Sequence, residues 1–159
     1  MAKPRVIQDL KWVSLADRNP YPGPRKLKGS NAQGIAFQNK LGVFLAQAIR
    51  EGRIEGKLYS DLWLMFEDRN GSGYAQPDHF IIQPKRLVLF ECKLSQNSIA
   101  WQQMEQLYKP LLEHLFRRPV VGIQAFKRMR FEEPDRPRVS IYGPDALDFK
   151  DGAVWQYYH

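Results

Sequence analysis

Glu91 and Lys93 interrupt a run that is otherwise apolar, Leu87-Val88-Leu89-Phe90-Glu91-Cys92-Lys93-Leu94. Residues two apart on a strand project from the same face, so a carboxylate and an ammonium group would stand side by side. Taking either charge out of water is costly unless it is paired or meets a metal. Asp78 follows Pro77 and lies 13 residues before Glu91. Gln83-Pro84-Lys85 reads as a turn between them, and a hairpin there would carry Asp78 back toward Glu91. Two carboxylates brought together repel unless a cation separates them. A hard divalent ion such as Mg²⁺ suits oxygen ligands and keeps several waters. The metal lowers the pKa of a bound water, which can then act as a nucleophile. Lys93 can orient that water or offset charge building on a phosphate. The plainer alternative is a Glu91–Lys93 salt bridge on an edge strand, with Asp78 in a turn.

The elements that must position these residues follow from patterning. Ser30 or Asn31 is a good N-cap. From there Phe37, Leu41, Phe44, Leu45 and Ala48 recur at helical spacing and make one apolar face, with Glu51-Gly52 as the end. Gln38 borders that face. Leu58 to Phe66 reads as a strand, Asp68 to Gly73 as a turn built on Asn70-Gly71, and Tyr74 to Ile82 as a second, antiparallel strand. Leu87 to Leu94 is apolar at both parities, as a central strand covered on both faces would be. Ser98 to Arg117 reads as a second helix with Leu107, Leu111 and Leu115 in a stripe; Pro110 inside it predicts a kink or break. Val120 to Phe126, Val139 to Tyr142 and a short segment from Val154 read as further strands. The order of elements predicts a mixed α/β domain, with a central sheet of four to five strands flanked by helices.

Pro77-Asp78, twelve residues, then Glu91-Cys92-Lys93 resembles the signature of the PD-(D/E)XK nuclease superfamily. The resemblance spans roughly residues 32–126, where the order of elements also resembles a restriction-endonuclease-like core. It implies a Mg²⁺- or Mn²⁺-dependent nuclease, with Asp78 and Glu91 as metal ligands. The backbone carbonyl of Cys92 would be a further ligand and Lys93 the assisting lysine. Many members carry a glutamate on the first helix that reaches the metal; the matching position is Gln38, a neutral ligand at best, or a polar residue on the helix rim. Many also carry a glutamine on the helix after the Glu-x-Lys strand, for which Gln103 is the best match and Gln102 the next. Some exonuclease branches place that glutamine four residues before a tyrosine. Gln103 and Tyr108 are five apart, so the resemblance does not extend to that branch; Trp101, Met104 and Tyr108 read as core.

Other residues read more simply. His79, His114 and His159 show no metal-ligand spacing. The thiol of Cys92 alternates with Glu91 and Lys93, so it points into the opposite apolar layer as an inert core group. A lone cysteine excludes an internal disulfide and a four-cysteine metal cage. Gly71-Ser72-Gly73 lacks the lysine and following helix of a phosphate loop.

The 159 residues suit one domain. The net charge of +7 is carried entirely by residues 1–57, which hold 11 Lys+Arg and 4 Asp+Glu, whereas residues 58–159 hold 13 of each. Residues 1–29 read as a basic arm, rich in proline and glycine over Asn19 to Pro24, and residues 30–159 as the nuclease-like domain. Arg25, Lys26 and Lys28 are the candidate nucleic-acid contacts, because clustered cations attract polyanions. The expected partner is nucleic acid, DNA foremost; a homodimer is left open. No apolar run approaches the roughly 20 residues needed to span a membrane, and the first residues lack a signal-peptide core, so a cytoplasmic protein is expected. The second functional class compatible with the same residues is a weakened nuclease-like module that only binds nucleic acid or a protein.

Overall fold

The structure is a computed structural model; it describes residues 5–16, 20, 30–95, 98–128, 138–141, 149, 151–152 and 154–157. The elements run β1 (Trp12–Leu15), α1 (Ser30–Arg50), β2 (Lys57–Ser60), β3 (Leu64–Asp68), β4 (Gly71–Ala75), β5 (His79–Ile82) and β6 (Leu87–Ser95). They continue with α2 (Ser98–Gln103), a π-helical turn (Met104–Tyr108), α3 (Lys109–Phe116), β7 (Val120–Arg128), β8 (Arg138–Ile141) and β9 (Val154–Tyr157). The fold is α/β. Among the described residues the main sheet has six strands, in the order β2-β5-β6-β7-β9-β8, where the sequence predicts four to five. β9 is not an added edge: it pairs in parallel with both β7 and β8.

The alternation read in β6 decides the layering. Val88, Phe90 and Cys92 enter one buried cluster with Phe37, Leu41, Leu45 and Ala48 of α1. Leu87 and Leu89 enter another with Met104, Leu107, Tyr108, Leu111 and Leu112. β6 pairs with β5 on one side and β7 on the other, so it is central. The β5 ladder stops at Phe90, however, so Glu91 to Ser95 pair with β7 alone, and the Glu91–Lys93 ion pair of the plainer reading is present at 3.8 Å.

Two expected strands are each broken. The run Leu58 to Phe66 splits at Asp61, whose φ of 56° turns the chain into the left-handed region. Asp tolerates that conformation better than most residues with a side chain. The run Tyr74 to Ile82 splits at Gln76-Pro77-Asp78, where Pro77 cannot donate to a ladder. The outer halves, β3 and β4, form a hairpin in a separate three-stranded sheet with β1. The inner halves, β2 and β5, pair in the main sheet. Both breaks fall at one place, and the Asp61 N–H donates to the Asp78 carbonyl at 3.0 Å.

The segment read as an arm is partly docked. β1 pairs with β3, and the Ile7 N–H donates to the Gln106 carbonyl at 3.0 Å. Arg5 meets the fully buried carboxylate of Asp68 at 2.6 Å. Arg25, Lys26 and Lys28 lie outside the described residues. The break expected at Pro110 takes the form of the π turn just before it. The Lys109 N–H bonds the carbonyl of Met104, five residues back, and Pro110 is the second residue of α3; the Gln106 carbonyl, four residues before it, accepts the Ile7 N–H instead. Gly122 on β7 admits this turn: a Cβ there would stand 2.8 Å from Met104 Sδ and 2.9 Å from Lys109 Cε.

Candidate active site

The β5–β6 hairpin closes through Gln83, whose N–H donates to the Arg86 carbonyl at 2.9 Å. Its register sets His79 opposite Phe90, so Asp78, one residue before β5, arrives beside Glu91. Asp78 Oδ2 accepts the backbone N–H of Cys92 at 2.7 Å. That bond fixes the carboxylate against β6 and leaves the thiol of Cys92 on the opposite, apolar face. Burial pushes that thiol well above its ordinary pKa, an inert state.

Glu91 is 2% exposed. Burial first, and the neighbouring Asp78 charge second, push its carboxyl well above the ordinary range. Asp78 is raised to about 6, mainly by burial, against the Cys92 N–H bond and the charge of Lys93, which favour its ionised form. Lys93 Nζ stands 3.8 Å from Glu91 Oε1, half-exposed at the mouth of the site. Among the described residues the other Glu91 oxygen, Oε2, is buried without a hydrogen-bond partner. Two acids pressed together with one distant ammonium can share a proton or take a cation.

Asp61 is the acidic neighbour that sequence reasoning missed. Its charge raises the pKa of Asp78. Gln38 Nε2 donates to Asp61 Oδ1 at 2.5 Å, and Gln76 Nε2 donates to the Asp61 carbonyl at 2.9 Å. Gln38 therefore borders the site, as expected from its place on α1, with its amide donating to this carboxylate. His79 ties that corner together. Its Nε2 lies 2.8 Å from the Gln38 carbonyl and its Nδ1 2.7 Å from Ser60 Oγ. A carbonyl only accepts, so Nε2 carries the proton and Nδ1 accepts from Ser60. Burial lowers the pKa of His79 and keeps the ring neutral. Gly42 on α1 leaves room for that ring, since a Cβ there would come within 2.8 Å of it. The signal for Asp61 was an aspartate in an otherwise strand-like run, which marks a break.

Opposite the site, α2 and the π turn cover the same sheet face as Glu91. Tyr108 is buried there, and its hydroxyl is pushed up by burial and by the charges of Glu91 and Asp78. Gln103, the last residue of α2, is half-buried, and no hydrogen bond joins it to the carboxylates among the described residues. The π turn bears on the Gln103–Tyr108 spacing: its bonds close over five residues, so residues five apart stand in the relation that four apart have in an α-helix.

Among the described residues no group of three or more His, Cys, Asp or Glu side chains is placed to hold a metal ion. Asp78 and Glu91 are the two side chains that meet, and any cation between them would complete its shell with waters and substrate oxygens. No helix among the described residues is long and apolar enough to cross a membrane. The chain matches no protein-family model, and neither the curated proteins nor the solved structures compared with it gave a match.

Proposed function

We propose that this chain is a divalent-metal-dependent nuclease that hydrolyses phosphodiester bonds, with DNA as the leading substrate. The observation that carries the reading is the meeting of Asp78 and Glu91 beside Lys93, midway along β6 where the β5 ladder stops. The fit to a cation rests on Glu91 Oε2, a buried oxygen without a partner among the described residues. It also rests on the donor set: Mg²⁺ is commonly held by one or two carboxylates, several waters and substrate phosphate, and needs no cage made wholly of protein. When bound, the cation would supply a water of lowered pKa and a positive charge against the phosphate.

The chain's own groups would do the rest. Asp78 and Glu91 hold the cation, with Asp78 aimed by the Cys92 N–H. The Cys92 carbonyl is the candidate third ligand. Lys93 places an ammonium at the mouth of the site, where it offsets charge on the phosphate. Tyr108 covers the same side, and Gln103, the last residue of α2, is the glutamine that would help orient the water or the phosphate. The net +7 of residues 1–57 would hold the polyanion by charge.

The second reading is a binding module without chemistry. It is favoured by one observation, the two-carboxylate donor set with a neutral Gln38 on α1. Mn²⁺-dependent nicking of supercoiled plasmid, and cutting of single strands, separates the two. The nuclease reading expects cleavage that EDTA stops and Asp78→Ala abolishes while binding survives. Binding without cleavage under any divalent ion would leave the module.

A further inference from the structure

Gln124 lies in the middle of β7, in register with Glu91 on β6. Paired positions of neighbouring strands point to the same face about 4.8 Å apart. Gln124 therefore flanks Glu91 on the side away from Asp78. It is completely buried, and among the described residues neither its amide nitrogen nor its amide oxygen has a hydrogen-bond partner. Its companions on that face are apolar or small: Val120, Gly122 and Phe126. A glutamine among them bears the full desolvation cost of a donor and an acceptor for no bond, where a methionine of similar length would bear none. The buried, unpartnered Oε2 of Glu91 is on the same face.

We infer that Gln124 is a positioning residue of the active site, holding with Glu91 a water on the face of β6 and β7 that α2 and the π turn cover. The inference rests on the nuclease reading. A water needs two to four polar partners to remain in a buried place. The Glu91 carboxylate offers an acceptor, and the Gln124 amide offers an acceptor and two hydrogens. An amide oxygen that accepts a hydrogen bond from a water fixes where the lone pairs of that water point. The effect belongs to the chemical step and not to DNA binding, because a fully buried side chain does not reach a polymer backbone.

The test compares Gln124→Met with wild type, using Asp78→Ala as the inactive control. Three quantities are read: thermal midpoint, Mn²⁺ affinity by calorimetry, and cleavage at saturating DNA and Mn²⁺. The expected result is a midpoint equal to or above wild type and Mn²⁺ affinity within about twofold. The maximal rate should fall at least tenfold with KM for DNA unchanged. A higher midpoint with a wild-type rate would overturn the inference, since Gln124 would then be an idle core amide. If Gln124→Met does not fold, Gln124→Asn decides, because it keeps the amide and withdraws it by one methylene. A tenfold loss of rate in a folded Gln124→Asn supports the role, and a wild-type rate overturns it. Wild type that neither binds Mn²⁺ nor cleaves would remove the nuclease reading and this inference together. Wild type that cleaves, beside an equally active Gln124→Met, removes the inference alone.

Discussion

Burial holds the carboxyls of Asp78 and Glu91 above the ordinary carboxylate range, so their protonation acts on stability with a defined sign. Asp78 titrates at about 6 in the fold, above its ordinary value of 3.8, with burial as the main cause. The folded chain therefore binds more protons than the unfolded chain between those values. The stability this contributes is complete below about pH 4 and is lost as pH rises through about 6. Without metal, wild type should lose stability relative to Asp78→Asn between pH 4 and pH 7. Asn keeps an oxygen for the Cys92 N–H and carries no charge. Adding Mn²⁺ at pH 7 should restore the wild-type midpoint and leave Asp78→Asn where it was. Denaturation midpoints at the two pH values check this, and a wild-type curve parallel to the variant's would refute it.

Lys93 belongs to the same scale. Its ammonium is half-exposed and 3.8 Å from Glu91, too loosely held to be a strong structural pair. Lys93→Ala should leave the midpoint nearly unchanged and slow cleavage by about 10²-fold, the lower end for one stabilised developing charge because this ammonium is half-exposed. Single-turnover kinetics read it directly; a wild-type rate would make Lys93 a salt-bridge partner and no more.

At the scale of elements, what was legible in the sequence is what periodicity encodes. α1, the two-faced β6, and the meeting of Asp78 with Glu91 through the Gln83 turn were all readable, because each rests on spacing within one local run. The breaks at Asp61 and at Gln76-Pro77-Asp78 were not placed, because the halves of each run go to different sheets and that choice is made by distant partners. Hence Asp61 was missed although its neighbour Gln38 was found. Gln124 had a local signal, a single amide in Val120-Val121-Gly122-Ile123-Gln124-Ala125-Phe126, of the same kind that drew attention to Glu91. Pro110 announced a break; that it would be a π turn pressed on Gly122 depended on the sheet beneath. Gly122→Ala should cost about 1 kcal/mol, because the atoms in the way are the ends of two flexible side chains, Met104 and Lys109, restrained by burial and by the ion pairs of Lys109. Urea denaturation measures it, and an unchanged midpoint would mean that the turn shifts freely.

For the whole molecule the relevant quantity is the separation of charge from chemistry. The excess of seven positive charges lies in residues 1–57, whereas the carboxylate pair lies in the neutral remainder. Part of the basic segment is engaged in the fold through Arg5 and β1. Neutralising Arg25, Lys26 and Lys28 together should weaken binding to all sequences alike. It should also flatten the salt dependence: the slope of log K against log salt should fall by about 0.9 for each duplex phosphate no longer neutralised. Fluorescence anisotropy across a salt series gives that slope; an unchanged slope would exclude these three residues from binding the DNA backbone.

The most direct measurement is a calorimetric titration of Mn²⁺ into wild type, Asp78→Asn and Glu91→Gln at pH 7.5, with no nucleic acid present. Both substitutions keep the shape of the site and remove one charge from the pair. The account predicts a saturable Mn²⁺ site in wild type, displaced by Mg²⁺, that either substitution weakens by at least tenfold. Equal Mn²⁺ binding in all three proteins, or none in wild type, would contradict it: the two buried acids would then be holding a proton between them and nothing else.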